Sequence, residues 1–125
     1  MTETWTIEGD TAVVVSADEA LETLRERIGS GRLETWLIGS TGRSMAVVTN
    51  TERALVMLCE GDGDPGERAV DPGAPGTSKG FVLSNGQVDE YLNEYTVPID
   101  QAFRIVAHII RTGSWPPDVH WVADR

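Results

Sequence analysis

Two histidines, one cysteine and twenty carboxylates are the groups from which this chain would have to build a catalytic or metal site. His108 falls near the end of an apolar helical stretch, where a cation complements the helix dipole. His120 alternates with Trp121 in a short extended run. Neither histidine has a sequence neighbour that makes a metal pair, and the single cysteine, Cys59, cannot complete an ordinary zinc site. Both histidines read as structural. Cys59 lies in the apolar run "ALVMLCE", 54–60. It reads as an inert core or half-core thiol, with a reactive thiol as the alternative. "GDGDPG", 61–66, lacks the lysine and the hydroxyl residue of a phosphate loop, and its acids repel phosphate. Glu60, Asp62 and Asp64 alternate and Asp71 stands twelfth, in the manner of a calcium loop. Pro65, however, occupies the place of the sharp glycine, and the closing glutamate is an aspartate. No metal or cofactor is expected. Twenty acids leave acid–base pairs open, but none stands in an apolar setting that would raise its pKa. The chain reads as a protein without catalytic activity of its own.

The elements that would position these groups follow from the apolar pattern. "SADEALETLRERIG", 16–29, is a helix with capping-box spacing at Ser16 and Glu19. Ala20, Leu21, Leu24 and Ile28 form its stripe, and Gly29 is expected to end it in a left-handed conformation. "TAVVV" before it, 11–15, has the β-branched density of a strand. Three strands, 33–39, 44–50 and 53–60, are joined by short polar links and predict an antiparallel meander. The third is apolar from 54 to 59, so it is expected to be the central strand, covered on both faces. Residues 61–80, rich in Gly, Pro and acids, read as one long surface loop. Residues 81–92 predict a hairpin turning at Asn85-Gly86. "VPIDQAFRIVAHIIRTG", 97–113, predicts a helix with Pro98 at its first position and Gly113 as its stop. Its main stripe is Ile99, Phe103, Val106 and Ile110, with Ala102 and Ala107 beside it and Ile105 and Ile109 nearly opposite, so it should lie wedged between layers.

The tail "GSWPPDVHWVADR", 113–125, then turns back onto the sheet. Pro116 and Pro117 bar further helix. "DVHWV" alternates, with Val119 and Trp121 on one side, and Trp121 is expected to be a large buried anchor. Trp115 either caps the core or stands exposed for a partner. The whole predicts one α+β domain over 1–125. Its single antiparallel sheet of meander, hairpin and C-terminal strand is packed by two helices.

A net charge of −10 with a pI near 4.5 argues against direct nucleic-acid binding and favours a basic partner; the alternative is that acidity serves solubility. The N-terminal residues show no signal peptide, and no apolar run approaches the roughly 18 residues of a membrane span. A cytoplasmic, soluble protein is expected, in keeping with a single cysteine.

The segment 97–122 resembles the closing signature of the bacterial immunity family designated Imm-one. The matching residues are Val97, Pro98, Asp100, Ala102, Thr112, Gly113, Pro117 and Trp121. Trp115 departs from the pattern, since the family often has a charged residue there. The upstream order of capped helix, three-strand meander, variable loop and Tyr-containing strand ("DEYLNEY", 89–95) is also similar. The resemblance implies a non-enzymatic protein that binds and neutralises a cognate polymorphic toxin, commonly one with a deaminase-like domain. The matched residues look like fold-makers and do not locate the binding surface. Charge and flexibility point for that surface to Asp62, Asp64, Glu67 and Asp71. Asp89, Glu90 and Glu94 around Tyr91 and Tyr95 come second, and Trp115 is a further candidate. Two other readings stand beside this one: an acidic adaptor or chaperone for a secreted protein, and a small-molecule enzyme or carrier using carboxylates in a pocket.

Overall fold

In the computed structural model, residues 3–9 and 13–124 are described. A mostly antiparallel sheet packs against two helices, as the α+β reading expects. The meander is β3 (Glu34–Gly39), β4 (Ser44–Thr49) and β5 (Arg53–Cys59). On one side β3 continues to β1 (Trp5–Ile7) and β2 (Val13–Val15). On the other side β5 pairs with β6 (Glu67–Ala69), and β6 with β10 (Trp121–Ala123). Of the strand expected over 11–15, Thr11 and Ala12 lie outside the described residues. The middle of the strand order is β4, with β5 beside it. Both are interior strands apolar on both faces, so a continuous apolar run identifies an interior strand without ranking it.

The helices cover one face. α1 (Ala17–Gly29) starts at the expected capping box: Ser16 Oγ accepts from Glu19 N–H at 3.2 Å, and Ser16 N–H donates to Glu19 Oε1 at 3.4 Å. Gly29 is its last helical residue, and the left-handed turn is delayed to Gly31. α2 (Ile99–Thr112) begins later than the pattern predicts. Val97–Pro98 is instead β9, pairing with Arg53 and Ala54 of β5, and Pro98 precedes the helix. Gly113 caps α2 with φ 79°, as expected. Ala102, Ile105, Val106, Ala107, Ile109 and Ile110 are all buried, which makes α2 the wedged element. Ile105, Ile109 and Ile110 each contribute roughly 1.5–3 kcal/mol by leaving water.

The hairpin, β7 (Thr77–Val82) and β8 (Val88–Leu92), is a separate two-stranded sheet, not part of the main one. It lies on the opposite face. Phe81 is buried with Val48 and Leu55, and Leu83 and Tyr91 close the cluster. This placement explains why β5 is apolar on both sides: Ala54, Val56 and Leu58 meet the helices, while Leu55 and Met57 meet the hairpin.

Residues 61–80 are not one loop. They contain β6 and the start of β7. Ala69, fully buried, is the reason: one small apolar residue after two charged ones suffices to seat a strand between two others.

Candidate functional site

The expected binding residues divide by what the fold asks of them. Asp64 shapes its own turn, accepting from Glu60 N–H at 2.8 Å and Gly66 N–H at 3.2 Å. Glu67 lies on β6, and its carboxylate accepts the Trp115 indole N–H at 2.8 Å. Asp71 is fastened to Arg53 at 2.7 Å. The same guanidinium reaches Thr96 Oγ1 at 2.7 Å and the Asn93 and Thr96 carbonyls at 3.1 Å. Arg53 therefore ties the segment after β6 to the 3-10 turn Asn93–Tyr95. Glu94 joins this tie through its carbonyl, which accepts Asp71 N–H at 2.8 Å. The expectation that these acids form a loose, variable patch fails for Asp64, Glu67 and Asp71, whose carboxylates hold structure. Asp62 remains exposed.

The second group splits likewise. Asp89 accepts from Gln87 Nε2 at 2.6 Å and Tyr91 Oη at 2.7 Å, and these two bonds hold its pKa below the usual carboxylate value. Tyr91 packs edge-on against Phe81, with ring centroids 4.8 Å apart. Burial first, and then the Asp89 carboxylate, push the Tyr91 phenol up to about 12. Tyr95 is covered by the Arg68 guanidinium, 4.2 Å from its centroid, and Arg68 pairs with Asp124 at 3.2 Å. Only Glu90 of this group is fully turned to solvent. The two acidic segments meet through Asp71 with Glu94 and through Arg68 with Tyr95, while Asp89 and Tyr91 sit on the hairpin, toward Glu34.

The tryptophans exchange their expected roles in part. Trp115 is buried, 9% exposed, the first of its two open readings. Trp121 is 44% exposed, so the buried-anchor expectation is wrong. The two rings stack at 6.2 Å and 12°. Trp121 does point to the helix face, since its partner Ala69 belongs to the main core. It overhangs because β10 is the last strand of the sheet. Val122 beside it is 42% exposed on the other face. Asp124 N–H donates to Gly66 O at 2.8 Å, which fastens the acidic turn 60–66 to the end of β10. The structure thus joins an exposed tryptophan, stacked on a buried one, and an acidic turn at one end of the sheet. Sequence reasoning missed Trp121 and Val122 as surface residues, and it missed the edge because it had no strand at 67–69.

The signature residues behave as fold-makers where they are interior. Val97 and Ala102 are fully buried, and Gly113 O accepts Arg43 Nη1 at 3.0 Å. Arg43 is also bound by Glu3, whose carboxyl it holds below the usual range. Pro117 is exposed, while Pro116 is buried. Cys59 is buried, as its inert reading expects.

A cleft of about 350 Å³ lies between the end of α1, the start of β3 and the hairpin turn, lined by Arg27, Arg32, Glu34 and Ser84 among others. Glu34 accepts Ser84 N–H at 2.8 Å and the Trp36 indole N–H at 3.0 Å, and its pKa is lowered chiefly by the Ser84 bond. Arg27 donates to Thr35 Oγ1 at 2.9 Å and Glu34 O at 3.3 Å. Arg27 and Glu34 thus bind backbone groups and neutral side chains around the cleft. Among the described residues there is no cluster of three or more His, Cys, Asp or Glu side chains able to hold a metal ion, and no helix is long and apolar enough to cross a membrane. No model of a known protein family matches the chain, and no curated protein does.

Proposed function

We propose that this protein is a binding module of the immunity type. It occupies a basic, nucleic-acid-handling toxin domain in the cytoplasm and blocks that domain's substrate surface. The observation that carries the reading is the sheet edge where exposed Trp121 and Val122 adjoin the acidic turn 60–66. A partly exposed tryptophan held by stacking is the kind of rigid anchor that dominates interfaces. A net charge of −10 draws a basic surface toward it and can stand in for phosphate. The resemblance of the tail to the Imm-one signature supplies the class of partner, a deaminase-like toxin. An adaptor role would use the same edge. An acid–base enzyme would need a carboxyl with a raised pKa; Glu34, the acid in the cleft, is held the other way.

The test is co-expression with the product of the adjacent gene in a bacterial host. Growth arrest by that product alone, relieved by this protein through a stable complex, is the expected result. A non-toxic product, or rescue without binding, rejects the proposal.

A further inference from the structure

We infer that the open edge of β10 is a strand-addition site, taking an extended, basic segment of the partner. The inference rests on the binding reading above and specifies its surface. In the β10–β6 ladder Trp121 stands opposite Ala69, Val122 opposite Arg68 and Ala123 opposite Glu67. Val70 N–H donates to His120 O at 2.9 Å, and Asp124 N–H to Gly66 O at 2.8 Å. Hydrogen-bonded pairs alternate along an antiparallel ladder, so 120, 122 and 124 face β6. The N–H and C=O groups of Trp121 and Ala123 therefore point to the far side. No strand of the described residues lies there, because β10 ends the sheet order.

An unpaired edge of this kind is a template for another strand, and natural edges are blunted by shortness, proline, lysine or a bulge. β10, "WVA", is short at three residues but has none of the other three. A strand added here gains main-chain bonds at Trp121 and Ala123. Its alternate side chains meet Trp121 on one face and Val122 on the other. The occupant is set by charge. Asp118 before the strand is paired with Arg104 at 3.1 Å and Asp124 after it with Arg68 at 3.2 Å, so what a docking segment meets is the summed negative field of the chain. A second copy of this chain would bring −10 against −10; a lysine- or arginine-bearing strand relieves that field. The opposite edge, β2, is a run of three valines without an aromatic anchor.

The probe is an acetylated, amidated peptide of alternating lysine and valine. Two controls accompany it: a glutamate–valine counterpart, and a lysine–valine peptide N-methylated along its pairing edge. The readout is amide hydrogen exchange at Trp121 and Ala123. At a concentration near its Kd the lysine–valine peptide should slow exchange at both amides by about two-fold, and in proportion to concentration above that, and the two control peptides should not. Ala123→Pro removes an outward N–H without breaking the β6 ladder, so it should abolish protection at Trp121. Absence of protection at about 1 mM peptide, the range of weak strand pairing, overturns the inference. So does equal protection by the glutamate peptide. Protection in the free protein that grows with concentration would mean that a second copy fills the edge, and likewise overturns it. If the adjacent-gene product binds while these amides still exchange freely, the edge assignment fails and the binding function stands. If the peptide pairs but that product does not bind, the reverse holds.

Discussion

Trp115 and Trp121 touch each other, yet they should answer truncation differently. Trp115→Ala empties a buried site and leaves the Glu67 carboxylate without its indole donor. It should cost about 3–5 kcal/mol, as large aromatic truncations in cores do. Trp121→Ala removes a ring already 44% exposed and should cost only about 1–2 kcal/mol. Denaturant melts of the two variants check this, and equal losses would make Trp121 an anchor after all. Alternation puts Trp121 on one side with Val119, but a two-residue period reports face and not depth. Depth depends on how many strands lie beyond, and that is a property of the whole sheet. The acids teach a related lesson. A run of Asp and Glu declares its charge, but the partners of Asp71 and Glu67, Arg53 and Trp115, are 18 and 48 residues away. Tyr91 supplies a pH test. Its phenol is raised to about 12, so the neutral form is the one that the fold favours. The stability it contributes is complete below its ordinary value of 10.0 and is lost as pH rises toward 12. Asp89→Asn should bring the tyrosinate absorbance transition of Tyr91 down toward the ordinary value, while leaving the part due to burial. An unchanged transition would remove Asp89 as a cause.

At the scale of elements, the two tight turns that frame β5 and α2 carry opposite predictions from one cause. Thr51, between β4 and β5, is held at φ 80°, where a β-branched side chain is strained. Asn50 fixes it there by accepting the Glu52 and Arg53 N–H groups at 3.0 and 2.8 Å and donating to Lys79 O at 2.9 Å. Thr51→Gly relieves the strain against a larger unfolded-state entropy and should stabilise by about 0.5–1 kcal/mol. Gly113 sits at φ 79° with Arg43 Nη2 only 3.3 Å from where a Cβ would stand. Gly113→Ala should destabilise by about 1–2 kcal/mol. Thermal melts that move in the same direction for both would refute the backbone argument. The elements most legible in the sequence are those whose signals are local: the Ser16–Glu19 box, the Asn85-Gly86 hairpin turn and the Gly113 stop. What was not legible depends on distant pairing. β6 has three residues and one buried side chain, too little pattern to see. β9 forms because Ile99 N–H reaches Glu52 O at 3.0 Å and Val97 meets Ala54. Hairpin strands read alike whether they extend a sheet or lie across it, so the separate sheet of β7 and β8 could not be foreseen.

For the whole molecule, the question is how much of its −10 charge is available to a partner and how much is spent inside the fold. Glu3 with Arg43, Asp71 with Arg53, Asp124 with Arg68, Asp118 with Arg104 and Asp18 with Arg111 pair acids with half of the ten bases. The excess negative charge that remains is spread over exposed side chains, among them Asp62 in the turn 60–66 and Glu90 on the hairpin. Long-range attraction depends on this summed field, whereas stability depends on the pairs. The two should therefore separate under mutation. Asp62→Asn with Glu90→Gln should leave the melting temperature within about 2 °C, since exposed substitutions of this kind change stability by under ~0.5 kcal/mol. The same pair should slow association with a basic partner, and the parent's on-rate should fall steeply as salt rises. Asp64→Asn and Asp71→Asn should do the opposite. They loosen the turn at 60–66 and the Arg53 tie, and so lower the melting temperature, with no larger effect on encounter than any other lost charge. Stopped-flow binding to the adjacent-gene product, over a salt series, measures the first effect, and calorimetry the second. An on-rate indifferent to salt would mean that the acidity serves solubility alone, and that recognition rests on the tryptophan edge without electrostatic guidance.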